Sequence, residues 1–251
     1  MSRLRRAADR ATGSSADPRV IPSPNVWRWP RVYELENRAQ DTDGAIWAAL
    51  REACPWDGAD VVDLGCGDGF HLPLFAATAA TVTGVEPQAS LVARARERCA
   101  DLPTVTVHSG HAQDTGLPSR SADLVHARTA YFFGPGCEPG LAEADRVLRP
   151  GGALAIIDLD ATAAPYGPWL RADLPRYNPR AVLKFFDRNG FSTRLVDTVW
   201  RFDDRATLDA VLRIEFSAAV AARAIAETAG LTIPVRYRLH VRRTPTGLIR
   251  P

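Results

Sequence analysis

The chain has 251 residues, of which 46% are hydrophobic and 24% charged, with a formal net charge of +2. That is the size and composition of a globular α/β domain with its own core, and no apolar run reaches the length of a membrane span. Cys54, Cys66, Cys99 and Cys137 have neither metal-site spacing nor the build of a disulfide framework, which points to a reducing, cytoplasmic setting.

In chain order, residues 1–24, with Gly13-Ser14-Ser15 and three prolines, read as a flexible lead ahead of a single domain over 25–251. Arg3, Arg5, Arg6 and Arg10 have no apolar segment behind them, unlike a secretory signal. Trp27, Trp29 and Tyr33 interleave with charge ahead of a helix at about 43–53. Residues 60–64, 81–85, 104–108, 122–127 and 152–158 read as parallel strands, with helical segments near 70–79, 88–100 and 138–148. This alternation predicts a doubly wound, mostly parallel sheet.

Pro150-Gly151-Gly152 is expected to stop the fourth helix and turn the chain into the fifth strand. Residues 161–177, rich in Pro, Tyr and Trp, read as a loop. A helix over 178–189 then ends at Gly190, a strand covers 191–202, and a long Ala-rich helical insertion runs over 204–229. The last strand is 235–243, where Val235, Tyr237, Leu239 and Val241 alternate with Arg236, Arg238, His240 and Arg242. Residues 1–31 carry seven Arg against two Asp, and 232–251 five Arg and no acid. The body between holds 19 Lys and Arg against 27 Asp and Glu. Basic ends on an acidic body suit an anionic partner, while solvated tails and an edge strand guarded by charge are the plainer reading.

Chemistry concentrates in Val61-Val62-Asp63-Leu64-Gly65-Cys66-Gly67-Asp68-Gly69 and, seventeen residues on, Glu86 in Thr83-Gly84-Val85-Glu86-Pro87. A buried strand leads through a glycine turn into a helix, and a second strand ends in one carboxylate. Glycines permit close approach of the backbone to a ligand, and an acid at the second strand's tip accepts from ribose hydroxyls. Two details separate a sulfonium cofactor from a dinucleotide. Phe70 stands where a third dinucleotide-motif glycine would be, and Asp63 closes the first strand. A carboxylate there repels a pyrophosphate and attracts an ammonium or sulfonium; at an effective dielectric of ~20 a charge pair about 4 Å apart is worth roughly 4 kcal/mol before desolvation.

Asp63-Leu64-Gly65-Cys66-Gly67-Asp68-Gly69 resembles the first motif of the class I S-adenosylmethionine-dependent methyltransferases, and Glu86 resembles their ribose-binding acid. The resemblance continues through Gly110-His111-Ala112-Gln113-Asp114-Thr115-Gly116-Leu117-Pro118, Ser121-Ala122-Asp123-Leu124-Val125-His126-Ala127 and Glu143-Ala144-Asp145-Arg146-Val147-Leu148-Arg149-Pro150-Gly151-Gly152, covering roughly residues 60 to 160. It implies a Rossmann-like seven-stranded sheet with an antiparallel last strand, and S-adenosylmethionine as cofactor. Asp63, Gly65, Cys66 and Gly67 would face its methionine half, Glu86 the ribose and Pro87 the adenine. His111, Ala112 and Gln113 would lie at the adenine edge, where His111 replaces the family's usual acid and Asp114 is a substitute. The 204–229 insertion would be a wall or lid of the acceptor site, or a plain packing or dimerisation helix.

Methyl transfer from sulfonium is an in-line displacement, so a general base matters only if the acceptor begins protonated. His126 is the first candidate base, its backbone carbonyl also being a contact for the methionine ammonium. Tyr131, leading Tyr131-Phe132-Phe133, would line the methyl-transfer pocket; Asp158 and Asp160 are alternative bases. No metal ligand set is expected. The absence of an Asn-Pro-Pro-Tyr-type motif and of an RNA-binding module points away from nucleic acid and toward a small-molecule acceptor. A non-catalytic cofactor-binding regulator and a NAD-dependent oxidoreductase are the rival readings.

Overall fold

The computed structural model describes residues 20–246. Most of the lead expected over 1–24, with Arg3, Arg5, Arg6 and Arg10, lies outside the described residues; Val20 to Ser23 have no regular structure, and Pro24 opens the first helix. Two prolines start the first two helices, α1 (Pro24–Arg28) and α2 (Pro30–Ala39), each at the N-terminal position where its missing N–H costs nothing. Spaced aromatics are the only helix signal legible there from the residues alone. Helix α3 (Ala45–Ala53) follows, with both Asp41 carboxylate oxygens accepting from the Ile46 N–H at 3.0 Å.

From there strand and helix alternate: β1 (Asp60–Leu64), α4 (Leu72–Ala76), β2 (Thr81–Glu86), α5 (Ala89–Arg98), β3 (Val105–Ser109), β4 (Ala122–Arg128), α6 (Glu138–Val147) and β5 (Leu148–Leu159). Helices α7 (Tyr166–Asp173) and α8 (Pro179–Arg188), strand β6 (Ser192–Arg201), helices α9 (Arg205–Glu215) and α10 (Ala218–Glu227) and strand β7 (Thr232–Arg243) complete the chain. The seven strands hydrogen-bond in the order β3-β2-β1-β4-β5-β7-β6. Strands β1 to β5 pair in parallel. Strand β7 runs antiparallel to β5, as the Asp160 N–H to Arg236 O bond (2.8 Å) and the Thr244 N–H to Gly152 O bond (2.9 Å) show. The Rossmann-like sheet with its antiparallel last strand is thus as expected. The order reverses at β1, flanked by β2 and β4, so ligands are expected outside the carboxyl ends of those strands.

The chain falls into two compact units. One draws on residues 20–48, Leu159–Pro179 and Leu195–Tyr237; the other on Ala49–Asp158, Arg180–Arg194 and the chain from Arg238. The second holds the central strands, whose Val61, Val62, Leu64, Leu124, Val125, Leu154, Ile156 and Ile157 are all buried. Each such side chain contributes about 1.5–3 kcal/mol by leaving water.

Three expectations need correction. The loop expected over 161–177 contains α7, because Tyr166, Trp169 and Leu170 (spacing i, i+3, i+4) bury one face; tertiary burial overrides the helix-breaking Gly167 and Pro168. The helical insertion at 204–229 is two helices. Phe216 is extended and Ser217 is the N-cap residue of α10, with Asp173 accepting from the Ser217 N–H at 2.6 Å. Finally, Pro150-Gly151-Gly152 does not precede the fifth strand but lies inside it. Ala122 faces Leu148 while Leu124 faces Ala153, so the extra residues form a bulge, with Gly151 at φ +82°.

Candidate active site

All the candidate cofactor residues belong to the second unit. The turn after β1 folds back over the end of β2: the Gly65 and Cys66 N–H groups both donate to Val85 O, at 2.8 and 3.2 Å. Gly65 has φ +75°, and a Cβ there would meet Ala130 Cβ at 2.6 Å. Gly67 has φ +59°, yet a Cβ there would meet nothing within 4 Å. The first glycine is therefore required by the fold, while the second leaves open space beside the turn.

That turn brings Gly67 to Glu86. The buried Glu86 carboxylate accepts the Gly67 N–H on Oε2 at 3.1 Å and the Gln88 N–H on Oε1 at 3.0 Å. Burial pushes its pKa up to about 7; the two N–H donors hold it down in part, and Asp63 and Asp68 push it further up. Cys66 is buried beside it, its thiol driven well up by burial and by Asp63 and Glu86, so it stays a neutral thiol rather than a nucleophile. Asp68 pairs with Arg98 at 3.0 Å. Pro87 lies between Glu86 and Gln88, half-buried.

Asp63 and His126 are register partners on the adjacent strands β1 and β4. His126 Nδ1 lies 2.7 Å from Asp63 Oδ1, with the two residues 0% and 3% exposed. Phe75 of α4 sits against the imidazole at 5.1 Å between ring centroids. Beyond His126, at the end of the same strand, Arg128 is buried. Sequence reading missed both Phe75 and Arg128. The apolar spacing of Phe75 gives no functional signal, whereas Arg128, an arginine at a parallel strand's carboxyl end, was detectable by the same rule that picked His126.

After β3, His111 and Asp114 close a tight turn, each N–H donating to the other's carbonyl at 3.0 and 2.9 Å, with Ala112 buried at its tip and Asp114 exposed. After β4, Thr129 and Tyr131 both adopt left-handed backbone, φ 46° and 52°, at a cost of roughly 1–2 kcal/mol each. The Tyr131 hydroxyl and Gln113 Oε1 are both buried, and among the described residues neither has a partner at hydrogen-bond geometry. Burial raises the Tyr131 phenol and the nearby Gln113 amide lowers it, with a net upward shift. Tyr131 therefore keeps its proton near neutral pH.

Of the alternative bases, Asp160 lies in the first unit and accepts from the Thr162 N–H and hydroxyl at 2.7–3.1 Å, a buried turn; Asp158 is buried at the end of β5 in the second unit. Among the described residues no group of three or more His, Cys, Asp or Glu is placed to hold a metal ion, and no helix is long and apolar enough to cross a membrane.

Residues 62–156 match the family model described as a methyltransferase domain. The chain is 32% identical over 118 residues to the "Probable S-adenosylmethionine-dependent methyltransferase" of Mycolicibacterium smegmatis, covering 44% of this chain and 41% of that one. It is 29% identical over 170 residues to the "Ubiquinone/menaquinone biosynthesis C-methyltransferase UbiE" of Rubrivivax gelatinosus, covering 65% and 64%. The chain thus spans less than two thirds of the length of each of these curated relatives. In fold it is similar to the crystal structure of a SAM-dependent methyltransferase from Aquifex aeolicus, with a TM-score of 0.56 at 17% identity over 84% of this chain and 96% of that one. Residues 62–156, which hold the glycine turn and the two strand-end carboxylates in a sheet of this order, are thus similar to the methyltransferase domain of S-adenosylmethionine-dependent methyltransferases.

Proposed function

We propose that the chain is an enzyme that moves the methyl group of S-adenosylmethionine to an O, N or C atom of a small molecule. The observation that carries this reading is the bond from the Gly67 N–H to Glu86 at the carboxyl ends of β1 and β2, with Asp63 of β1 near enough to act on the Glu86 carboxylate. Asp63, with Glu86 in its ionised form, makes the turn acidic, which suits a ligand with an ammonium and a sulfonium and opposes the pyrophosphate of a nicotinamide dinucleotide; Asp68 is offset by Arg98. Open space at Gly67 lets a ligand lie against the backbone. Each Glu86 oxygen accepts one N–H and keeps a lone pair for a ribose hydroxyl.

In this reading Asp63, Gly65, Cys66 and Gly67 hold the methionine half, aided by the His126 carbonyl. Glu86 grips the ribose, Pro87 lies against the adenine, and His111, Ala112 and Gln113 meet its edge. The cofactor supplies an electrophilic methyl on sulfur. The residues of this chain hold that methyl in line with the acceptor atom and exclude water, which is where most of the rate arises. Tyr131 contributes an aromatic wall with a protonated hydroxyl. Acceptors that begin deprotonated or carry a lone pair need no base.

The small-molecule acceptor draws support from the quinone-biosynthesis relative, whose name describes methylation at carbon. Four buried free cysteines, Cys54, Cys66, Cys99 and Cys137, suit a reducing, cytoplasmic setting. Calorimetric titration with S-adenosylhomocysteine tests the reading. Micromolar binding that Glu86→Ala weakens about tenfold or more is expected, with no binding of NAD. Binding of NAD instead, or of neither ligand, overturns it.

A further inference from the structure

The buried pairing of Asp63 with His126 does more than fill the core. We propose that His126 is a positioning residue of the cofactor site: its Nδ1–H holds Asp63 Oδ1 and thereby fixes the carboxylate that receives the cationic amino-acid end of the cofactor. The inference rests on the cofactor reading above.

Three observations carry it. The two residues are register partners on parallel neighbouring strands, so the 2.7 Å contact is set by the sheet and not by a loop. A carboxylate accepts only, so Nδ1 carries the proton. On its other side the imidazole meets the ring of Phe75, which is 0% exposed, at an interplanar angle of 59°. A ring held on two sides has one orientation. Lastly, the first two N–H groups of the turn after β1, those of Gly65 and Cys66, both bind Val85 O and not Asp63. Among the described residues, His126 is thus the side chain that orders the carboxylate at the mouth of the turn. Short charge-assisted hydrogen bonds of this kind are among the stronger ones, and a carboxylate ordered beforehand loses less freedom when its ligand arrives.

The test compares two ligands on wild type and two variants. S-adenosylhomocysteine carries the amino-acid end; 5′-methylthioadenosine has the same adenosine and thioether but lacks it. His126→Leu is expected to weaken S-adenosylhomocysteine about tenfold while changing methylthioadenosine less than about twofold. His126→Asn, whose amide N–H stands near the position of Nδ1–H, is expected to recover most of the loss. A residue that merely supports the fold would weaken both ligands alike. Equal weakening of both, or unchanged S-adenosylhomocysteine binding, overturns the proposal. If His126→Leu does not fold, His126→Gln, which reaches the Nε2 position instead, is compared with His126→Asn under the same criterion. Wild-type protein that binds neither ligand overturns the cofactor reading itself, a result distinguishable from all of these.

Discussion

The ring of Tyr131 lies so close over Gly140 that a Cβ on that glycine would stand 2.2 Å from Tyr131 Cε1 and 2.8 Å from Cδ1. Gly140 is in α6, where glycine is otherwise a poor choice. Its absent side chain leaves room for the ring of Tyr131, which is already in left-handed backbone. Gly140→Ala therefore sets helix propensity, about 1 kcal/mol in favour of alanine, against a clash with an aromatic ring. We expect the clash to win, with a net loss of roughly 1–3 kcal/mol in urea unfolding. A more stable variant would show that the ring moves aside at little cost.

The two turn glycines should separate stability from binding. Gly65→Ala forces a Cβ to 2.6 Å from Ala130 Cβ at φ +75°, and is expected to impair folding and binding together. Gly67→Ala meets no protein atom, so its stability cost should be only the ~1 kcal/mol of left-handed backbone. Its methyl enters the space assigned to the ligand, so S-adenosylhomocysteine affinity should fall further than stability does. Thermal melts beside calorimetry decide this, and unchanged affinity in Gly67→Ala would place the ligand elsewhere.

In the proposed reading, Glu86 should make cofactor binding pH-dependent. With burial lifting its pKa to about 7, half of the free protein carries a neutral Glu86 near pH 7. Ribose hydroxyls favour the carboxylate, so binding releases a proton, and affinity should rise as pH increases toward 7 and level off above it. Calorimetry at pH 6 in buffers of different ionisation enthalpy measures the released proton directly.

The same group acts on stability in the opposite sense. Between about 4.5 and 7 the folded chain keeps a Glu86 proton that the unfolded chain has lost, so stability falls by about 1.4 kcal/mol per pH unit as pH rises through that window. Glu86→Gln removes that slope, and urea midpoints measured from pH 5 to 8 would show it.

Glu143 behaves in the reverse way. Burial pushes it up, but Arg146 and the hydroxyl and N–H of Thr115 outweigh burial and hold it at about 2. Its contribution is present above the ordinary glutamate range and is lost as pH falls toward 2. Because Arg146 is 39% exposed, the pair is partly screened, and Glu143→Gln should cost on the order of 2 kcal/mol at pH 7 and little at pH 2. Equal losses at both pH values would assign Glu143 a packing role.

The central strands were legible because their apolar runs and glycine turns are local signals. The first strand, the Gly65–Gly69 turn and Glu86 could be placed from one βαβ unit. What the sequence hid depends on distant neighbours. Helix α7 forms because Tyr166 finds Trp169, Trp200 and Phe216 around it, with ring centroids 5.1–6.4 Å apart, which no window of the sequence shows. The Asp63–His126 contact needs β1 beside β4, two strands 63 residues apart in sequence. Sequence reading marked both residues but not their bond. The bulge at Pro150-Gly151-Gly152 was misplaced because proline and glycine signal a break without saying whether the strand resumes.

The chain passes between its two compact units at residues 48, 158, 179, 194 and 237. As a nascent polypeptide, it cannot finish the first unit until Tyr237 has been made, and the second still lacks its closing strand until Arg243 follows. Both reach completion within a few residues of one another. A ribosome stalled anywhere in α9 or α10 would thus hold two unfinished bodies, and no single cut in the mature chain could release either one whole.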